Sequence, residues 1–251
     1  MAKKVKTDRR EFVKYSTLGT LSLVLGGGIL GSPYLNASEN KLRPPGAVSE
    51  ENFLALCIKC GQCLQVCPYH SIVLNNMGHG YGEGTPFIDA NVRACYACNA
   101  VPCVLACPSG ALDHQTEKAE DIKMGIAVLE FADTCLGITQ TPVPEGYDHK
   151  MLAFTSSVRN ETPEEVALVK KFMGREGSEC SLCADMCPIP NPLGAIAMVP
   201  DAKGGKRPEI YDGCIGCGVC QDVCPTSTPS IVIKPRMTYA EYYDKTDEGI
   251  S

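Results

Sequence analysis

With 251 residues the chain has room for one large domain or two small ones, and its 44% apolar and 21% charged residues are those of an ordinary water-soluble protein. Sixteen cysteines, no tryptophan and only 6% aromatic residues are not ordinary; a core so short of large side chains needs disulfides or metal to hold it. The net charge of −6 is uneven: residues 1–37 carry six basic side chains against two acidic ones, and the remainder carries 17 against 27, a net −10. Such an acidic body argues against nucleic acid as a partner and is compatible with a basic redox protein, although an acidic surface is also simply a soluble one.

In chain order, the first element is an address. Arg9-Arg10, followed by Phe12, Lys14 and a weakly apolar stretch to about Leu35, has the architecture of an export signal. The arginine pair resembles the twin-arginine type, which carries folded proteins across a membrane. Residues 1–37 are therefore read as a signal, either cleaved or kept as an anchor, and Gly26-Gly27-Gly28 argues against an ordinary spanning helix. Residues 38–48, with Pro44-Pro45-Gly46, read as a linker. Residues 49–251 read as one multi-site domain with a looped-out insertion over 136–179.

The domain opens with Cys57-x2-Cys60-x2-Cys63-x3-Cys67-Pro68, then a β-type run, Ile72-Val73-Leu74. A second set, Cys95-x2-Cys98-x4-Cys103-x3-Cys107-Pro108, follows, and Cys135 stands alone. Thr162-Pro163-Glu164-Glu165 is a capping box with proline at the first helical position, predicting a helix to about Met173. The third set, Cys180-x2-Cys183-x3-Cys187-Pro188, lacks its first cysteine, since Gly177 occupies that position. The fourth is Cys214-x2-Cys217-x2-Cys220-x3-Cys224-Pro225, followed by a second β-type run, Ile231-Val232-Ile233. After each Cys-Pro comes a small-plus-apolar pair, Ser71-Ile72, Ala111-Leu112, Ala195-Ile196 and Ser230-Ile231, which marks an internal repeat. Tyr239, Tyr242 and Tyr243 in the tail are placed either to pack back on the body or to meet a partner.

The run C-x2-C-x2-C-x3-C-P is that of bacterial ferredoxins, in which three close thiolates grip one [4Fe–4S] cluster and the fourth, before proline, points to the other cluster of a pair. Eight disulfides or zinc would also suit sixteen cysteines. Disulfides explain the x2 spacings poorly, and zinc pairs two C-x2-C units rather than four thiols within eleven residues. Cys135 is either a buried free thiol or the missing first ligand of the third set. The latter divides sixteen into four fours, which predicts four [4Fe–4S] clusters. The four histidines show no ligand spacing, and no phosphate loop, dinucleotide fingerprint or nucleophile–base motif is present, so no catalytic residue is assigned.

The segments Pro102-Cys103-Val104-Leu105-Ala106-Cys107-Pro108-Ser109-Gly110-Ala111-Leu112 and Lys123-Met124-Gly125-Ile126-Ala127-Val128, with the four sets, resemble the NapG/MauM family of exported ferredoxin-type proteins. In that family the third cluster also takes a distant first cysteine, which supports Cys135. The resemblance implies a periplasmic subunit of a quinol dehydrogenase at the outer face of the cytoplasmic membrane. It would receive electrons from a NapH-type membrane protein and pass them toward periplasmic nitrate reductase or a cytochrome acceptor. A methylamine dehydrogenase system, another exported molybdoenzyme and a maturation role are the alternatives.

By analogy with other four-cluster proteins, an α+β fold of two ferredoxin-like modules is expected, one nested in the other. Cys57, Cys60 and Cys63 would then share a cluster with Cys224, and Cys214, Cys217 and Cys220 with Cys67. Cys95, Cys98 and Cys103 would take Cys187, and Cys135, Cys180 and Cys183 would take Cys107. Sequential pairing of neighbouring sets is the competing arrangement.

Overall fold

The computed structural model describes residues 41–76, 82–149, 162–189, 194–202 and 204–244. The expected export signal lies outside them, and among the described residues no helix is long and apolar enough to cross a membrane. Two compact units are distinguished. One, Met1–Glu39 with Asn76–Glu83, contributes only Asn76, Gly82 and Glu83 to the described residues; the other, Asn40–Asn75 with Gly84–Ser251, holds every cysteine.

Among the described residues the helices are short: α1 (Glu50–Leu56), α2 (Gln62–Gln65), α3 (Pro102–Leu105), α4 (Leu136–Thr139), α5 (Pro163–Phe172), α6 (Leu182–Asp185) and α7 (Val219–Asp222). Six strands pair into three two-stranded antiparallel sheets: β1 (Ile72–Leu74) with β2 (Pro86–Ile88), β3 (Gly125–Leu129) with β6 (Ile231–Pro235), and β4 (Ile196–Pro200) with β5 (Lys206–Ile210). The α+β class holds, with strands at both β-type runs, the first at its expected bounds and the second extending two residues further to Pro235. The helix expected from Pro163 forms, with Thr162 accepting from the Glu165 N–H and the Glu165 carboxylate accepting in return.

The core is built of Val, Ile, Ala and Cys more than of large side chains. All eight residues of the repeated small-plus-apolar pairs are buried, between 1% and 3% exposed, so the repeat is a packing signature of the cysteine sets. Close approach of backbones replaces side-chain bulk elsewhere. At Gly216, with φ +67°, a Cβ would lie 2.3 Å from the Gly125 carbonyl, so the Cys214–Cys217 loop lies directly on β3.

Two expectations need correction. The 38–48 segment is not a linker where it is described: Leu42, Arg43, Pro44 and Pro45 are buried, and Ala47 bridges Leu112. Arg43 fixes it there, with its guanidinium over the Phe53 ring and donating to Glu50, Thr85 Oγ1 and the Pro86 carbonyl. The nested arrangement is also overturned. β1–β2 folds the chain back between the first and second sets, and β4–β5 does the same between the third and fourth. Each hairpin brings consecutive sets face to face through a short closure, which costs less chain entropy than the long-range one nesting requires.

Candidate metal centres

Each set is shaped by the same local devices. The third ligand of each, Cys63, Cys103, Cys183 or Cys220, lies on a one-turn helix, α2, α3, α6 or α7. In the three uninterrupted sets the residue two after the first cysteine is left-handed: Lys59 at φ 57°, Ala97 at 47° and Gly216 at 67°. That turn aims its backbone N–H at the sulfur behind it, on Cys57, Cys95 and Cys214 respectively. Lys59 and Ala97 adopt a conformation that disfavours L residues by about 1–2 kcal/mol, a strain found where local geometry matters more than local stability.

The sixteen thiols, all unbridged, fall into four groups of four. Cys67, Cys95, Cys98 and Cys103 surround a hollow that is also lined by Ser71, Ile72 and Tyr96. Cys187, Cys214, Cys217 and Cys220 surround another, lined by Ala195 and Ile196, with Cys183 also on its wall. Cys135, Cys180, Cys183 and Cys224 surround a third, lined by Ser230 and Ile231, with Cys220 also on its wall. Cys57, Cys60, Cys63 and Cys107 form the fourth group. Burial pushes the Cys63 thiol up to about 11, and repulsion from the other three adds to it.

Cys135 is thus brought to Cys180 and Cys183, as the distant-ligand reading expected. The fourth cysteines exchange between neighbours: Cys67 joins the second set and Cys107 the first, Cys187 the fourth and Cys224 the third. The pairings expected from nesting, Cys224 with the first set, Cys67 with the fourth, Cys187 with the second and Cys107 with the third, are not the ones formed.

Electrostatics separate the groups. Burial pushes Cys95 and Cys98 up to about 12 and Cys217 and Cys220 well above the usual thiol range. At Cys107 burial acts the same way, but N–H donors on Leu112, Ser109 and Ala111 outweigh it and hold the thiol below that range. These values describe bare thiols. They report how little the buried sulfurs, Cys183 of the end group included, are offered for a negative charge except metal, and how well the Cys107 loop already solvates one.

The groups are contiguous. Cys63 is among the charges felt at Cys103, Cys95 donates its backbone N–H to the Cys217 carbonyl at 3.0 Å, and Cys183 and Cys220 line the same hollow. The chain of groups therefore runs from Cys57/Cys60/Cys63/Cys107 through the second and fourth sets to Cys135/Cys180/Cys183/Cys224. The seam at its middle is polar and buried: Asp222 accepts from the Ala94 N–H and the Tyr96 hydroxyl, both at 2.9 Å, and Gln221 reaches Asn91 at 2.7 Å. Sequence reading missed these residues, because the position two after the third cysteine is Gln65, Leu105, Asp185 and Asp222 in the four sets and carries no repeated signal.

The donor sets fit an iron–sulfur cube. Four thiols stand together in each group, with backbone N–H groups aimed at sulfurs such as those of Cys57, Cys95, Cys107 and Cys214. Among the described residues no three His, Cys, Asp or Glu side chains converge as closely as a single zinc ion requires.

Fold and site together define a ferredoxin-type iron–sulfur protein made of two consecutive two-site modules. The family described as "4Fe-4S dicluster domain" matches residues 56–138 and 178–228. The chain belongs to the NapG and MauM family of ferredoxin-type electron-transfer proteins. It is 30% identical to the ferredoxin-type protein NapG of Escherichia coli strain K12, over 92% of this chain and 87% of the relative. It is 31% identical to the methylamine utilization ferredoxin-type protein MauM of Paracoccus denitrificans, over 92% of this chain and 91% of the relative. The corresponding protein of Methylorubrum extorquens is 32% identical over 94% and 93%. No solved structure matches the chain.

Proposed function

We propose that the four groups hold four [4Fe–4S] clusters. We further propose that the chain is exported folded by the twin-arginine route to work in the periplasm, at the outer face of the cytoplasmic membrane. There it relays electrons from a NapH-type quinol-oxidising membrane protein toward periplasmic nitrate reductase. The observation that carries this reading is the unbroken succession of four four-thiol groups, which is the form a relay needs and a single-site structural metal does not.

Bound there, a [4Fe–4S] cluster supplies a one-electron couple. The chain does the rest. Burial disfavours negative charge at Cys57, Cys107, Cys214, Cys217 and Cys220 alike; N–H groups outweigh it at Cys107, offset part of it at Cys57 and Cys214, and leave Cys217 and Cys220 well above the usual thiol range. Pro45, Pro68 and Pro102 close the second-set hollow with groups that offer no competing donor. Export after folding agrees with the thiols, which must be reduced while ligands are loaded. The MauM relatives match at the same level as NapG, which favours a methylamine dehydrogenase system as the second reading of the acceptor.

The test is nitrate reduction in a strain lacking this chain, driven once by quinol and once by an artificial donor. Loss of the quinol-driven rate alone supports the relay. Loss of both points to maturation, and loss of neither to another acceptor.

A further inference from the structure

Of the sixteen cysteines only Cys60 is exposed. The residues around it are unusual for an acidic body. Leu56 and Ile58 flank Cys57 on the surface, and Leu105, two residues before Cys107, is exposed as well; Ile58 and Leu105 are 65% and 66% exposed. Over residues 55–66 there is one charged side chain, Lys59. A few isolated apolar residues on a surface mean little, but here they border the group at one end of the chain of thiols.

Electron exchange falls off steeply with distance, so it takes place where a redox group comes nearest to solvent. At the other end the thiols lie deeper: Cys135 is buried, and Cys180, Cys183 and Cys224 are half-buried.

We infer that the Cys57/Cys60/Cys63/Cys107 end is a port for electron exchange, and that its apolar border docks a one-electron carrier protein whose own redox edge is ringed by uncharged, apolar side chains. The charge pattern chooses that occupant. A carrier that docks through a ring of lysines is drawn to the acidic residues elsewhere on the body, whereas residues 55–66, which carry Cys57, Cys60 and Cys63, offer it no acidic side chain and one basic one, Lys59. Apolar closure also expels water from the edge, which a ring of ion pairs does less well. An electron crossing here oxidises one partner by one unit and reduces the other by one, with no bond made or broken. The inference rests on the thiols being cluster ligands, and iron content with the EPR spectrum tests that separately.

The experiment is voltammetry of the full-length, cluster-loaded chain on gold bearing methyl-, carboxylate- or ammonium-terminated monolayers. The methyl surface is expected to exchange electrons fastest. Ile58→Asp with Leu105→Asp is expected to slow that exchange roughly tenfold or more at equal driving force, as loss of interface anchors does, with iron content unchanged and the midpoint potential of that end lowered by the added negative charge. Val166→Asp, on an exposed face of α5, is expected to leave the rate alone. Fastest exchange on a charged surface, an unaffected double variant, or equal slowing by Val166→Asp overturns the port. Binding to neutral phosphatidylcholine vesicles that the double variant abolishes also overturns it, since the face would then be a lipid contact.

Discussion

The Arg93 guanidinium donates to the Glu165 carboxylate at 2.8 Å, joining the loop before Cys95 to a helix that lies between Cys135 and Cys180. Glu165 is sealed from solvent and Arg93 nearly so. Thr162, the cap of the same helix, donates to the Pro68 carbonyl at 2.6 Å. The insertion is therefore a clasp: it leaves one module and fastens on the other.

Breaking that pair strands a buried charge. Glu165→Ala is expected to cost roughly 3–5 kcal/mol, and Arg93→Met with Glu165→Leu much less, because the second removes both charges. Denaturant unfolding of the loaded protein, followed by visible absorbance, measures both. Equal losses in the two variants would show that the clasp works by packing alone.

Cys135→Ser is expected to remove roughly a quarter of the bound iron, one group in four, while Gly177→Cys in that background does not restore it. Analysis of iron and acid-labile sulfide in anaerobically purified protein decides the matter. Full iron in Cys135→Ser would return Cys135 to the status of a free thiol.

Exchange of fourth ligands between neighbours has its own signature. Cys67→Ser and Cys103→Ser are expected to alter the same component of the EPR spectrum, and Cys224→Ser the same one as Cys135→Ser. If Cys67→Ser instead follows Cys214→Ser, the pairing described above is wrong.

Glu50 gives a pH dependence. Burial alone raises its pKa, but Arg43 and Arg236 outweigh that and hold the carboxyl below the usual carboxylate range. A depressed folded pKa contributes stability that is fully present above the unfolded value of about 4.5 and is lost as pH falls through the folded one. The wild type is thus expected to exceed Glu50→Gln in thermal stability at neutral pH, with the gap closing below about 4.5. A gap that widens in acid would reverse the sign of the argument.

The parts of the fold written in short-range pattern were legible in the sequence. The cysteine spacings, the buried pair after each Cys-Pro, the capping box at Thr162 and the runs at 72–74 and 231–233 each depend on a few neighbouring residues. What was not legible depends on which segments meet. The partner of each fourth cysteine follows from hairpins whose other strands, Pro86–Ile88 and Lys206–Ile210, carry proline and charge and give little β signal. Arg43 sits in a proline-rich stretch that reads as a connector, and only its burial against Phe53 and Glu50 reveals an anchor. Asp222 and Tyr96 meet across 126 residues, a distance no spacing rule spans.

One consequence concerns the order in which the protein can be put together. Three sets present their first three thiols within at most nine residues of chain, so each can capture metal while the rest of the polypeptide is still unstructured. The third cannot, because Cys135 reaches Cys180 only when the intervening segment has closed, with its helix fastened to Pro68 and Arg93. Closing a loop several doublings longer costs on the order of 2 kcal/mol more, and native contacts with the other half repay it. On the proposed reading, filling of the Cys135 group would report that both halves have already folded against each other, which makes it the expected last step of assembly.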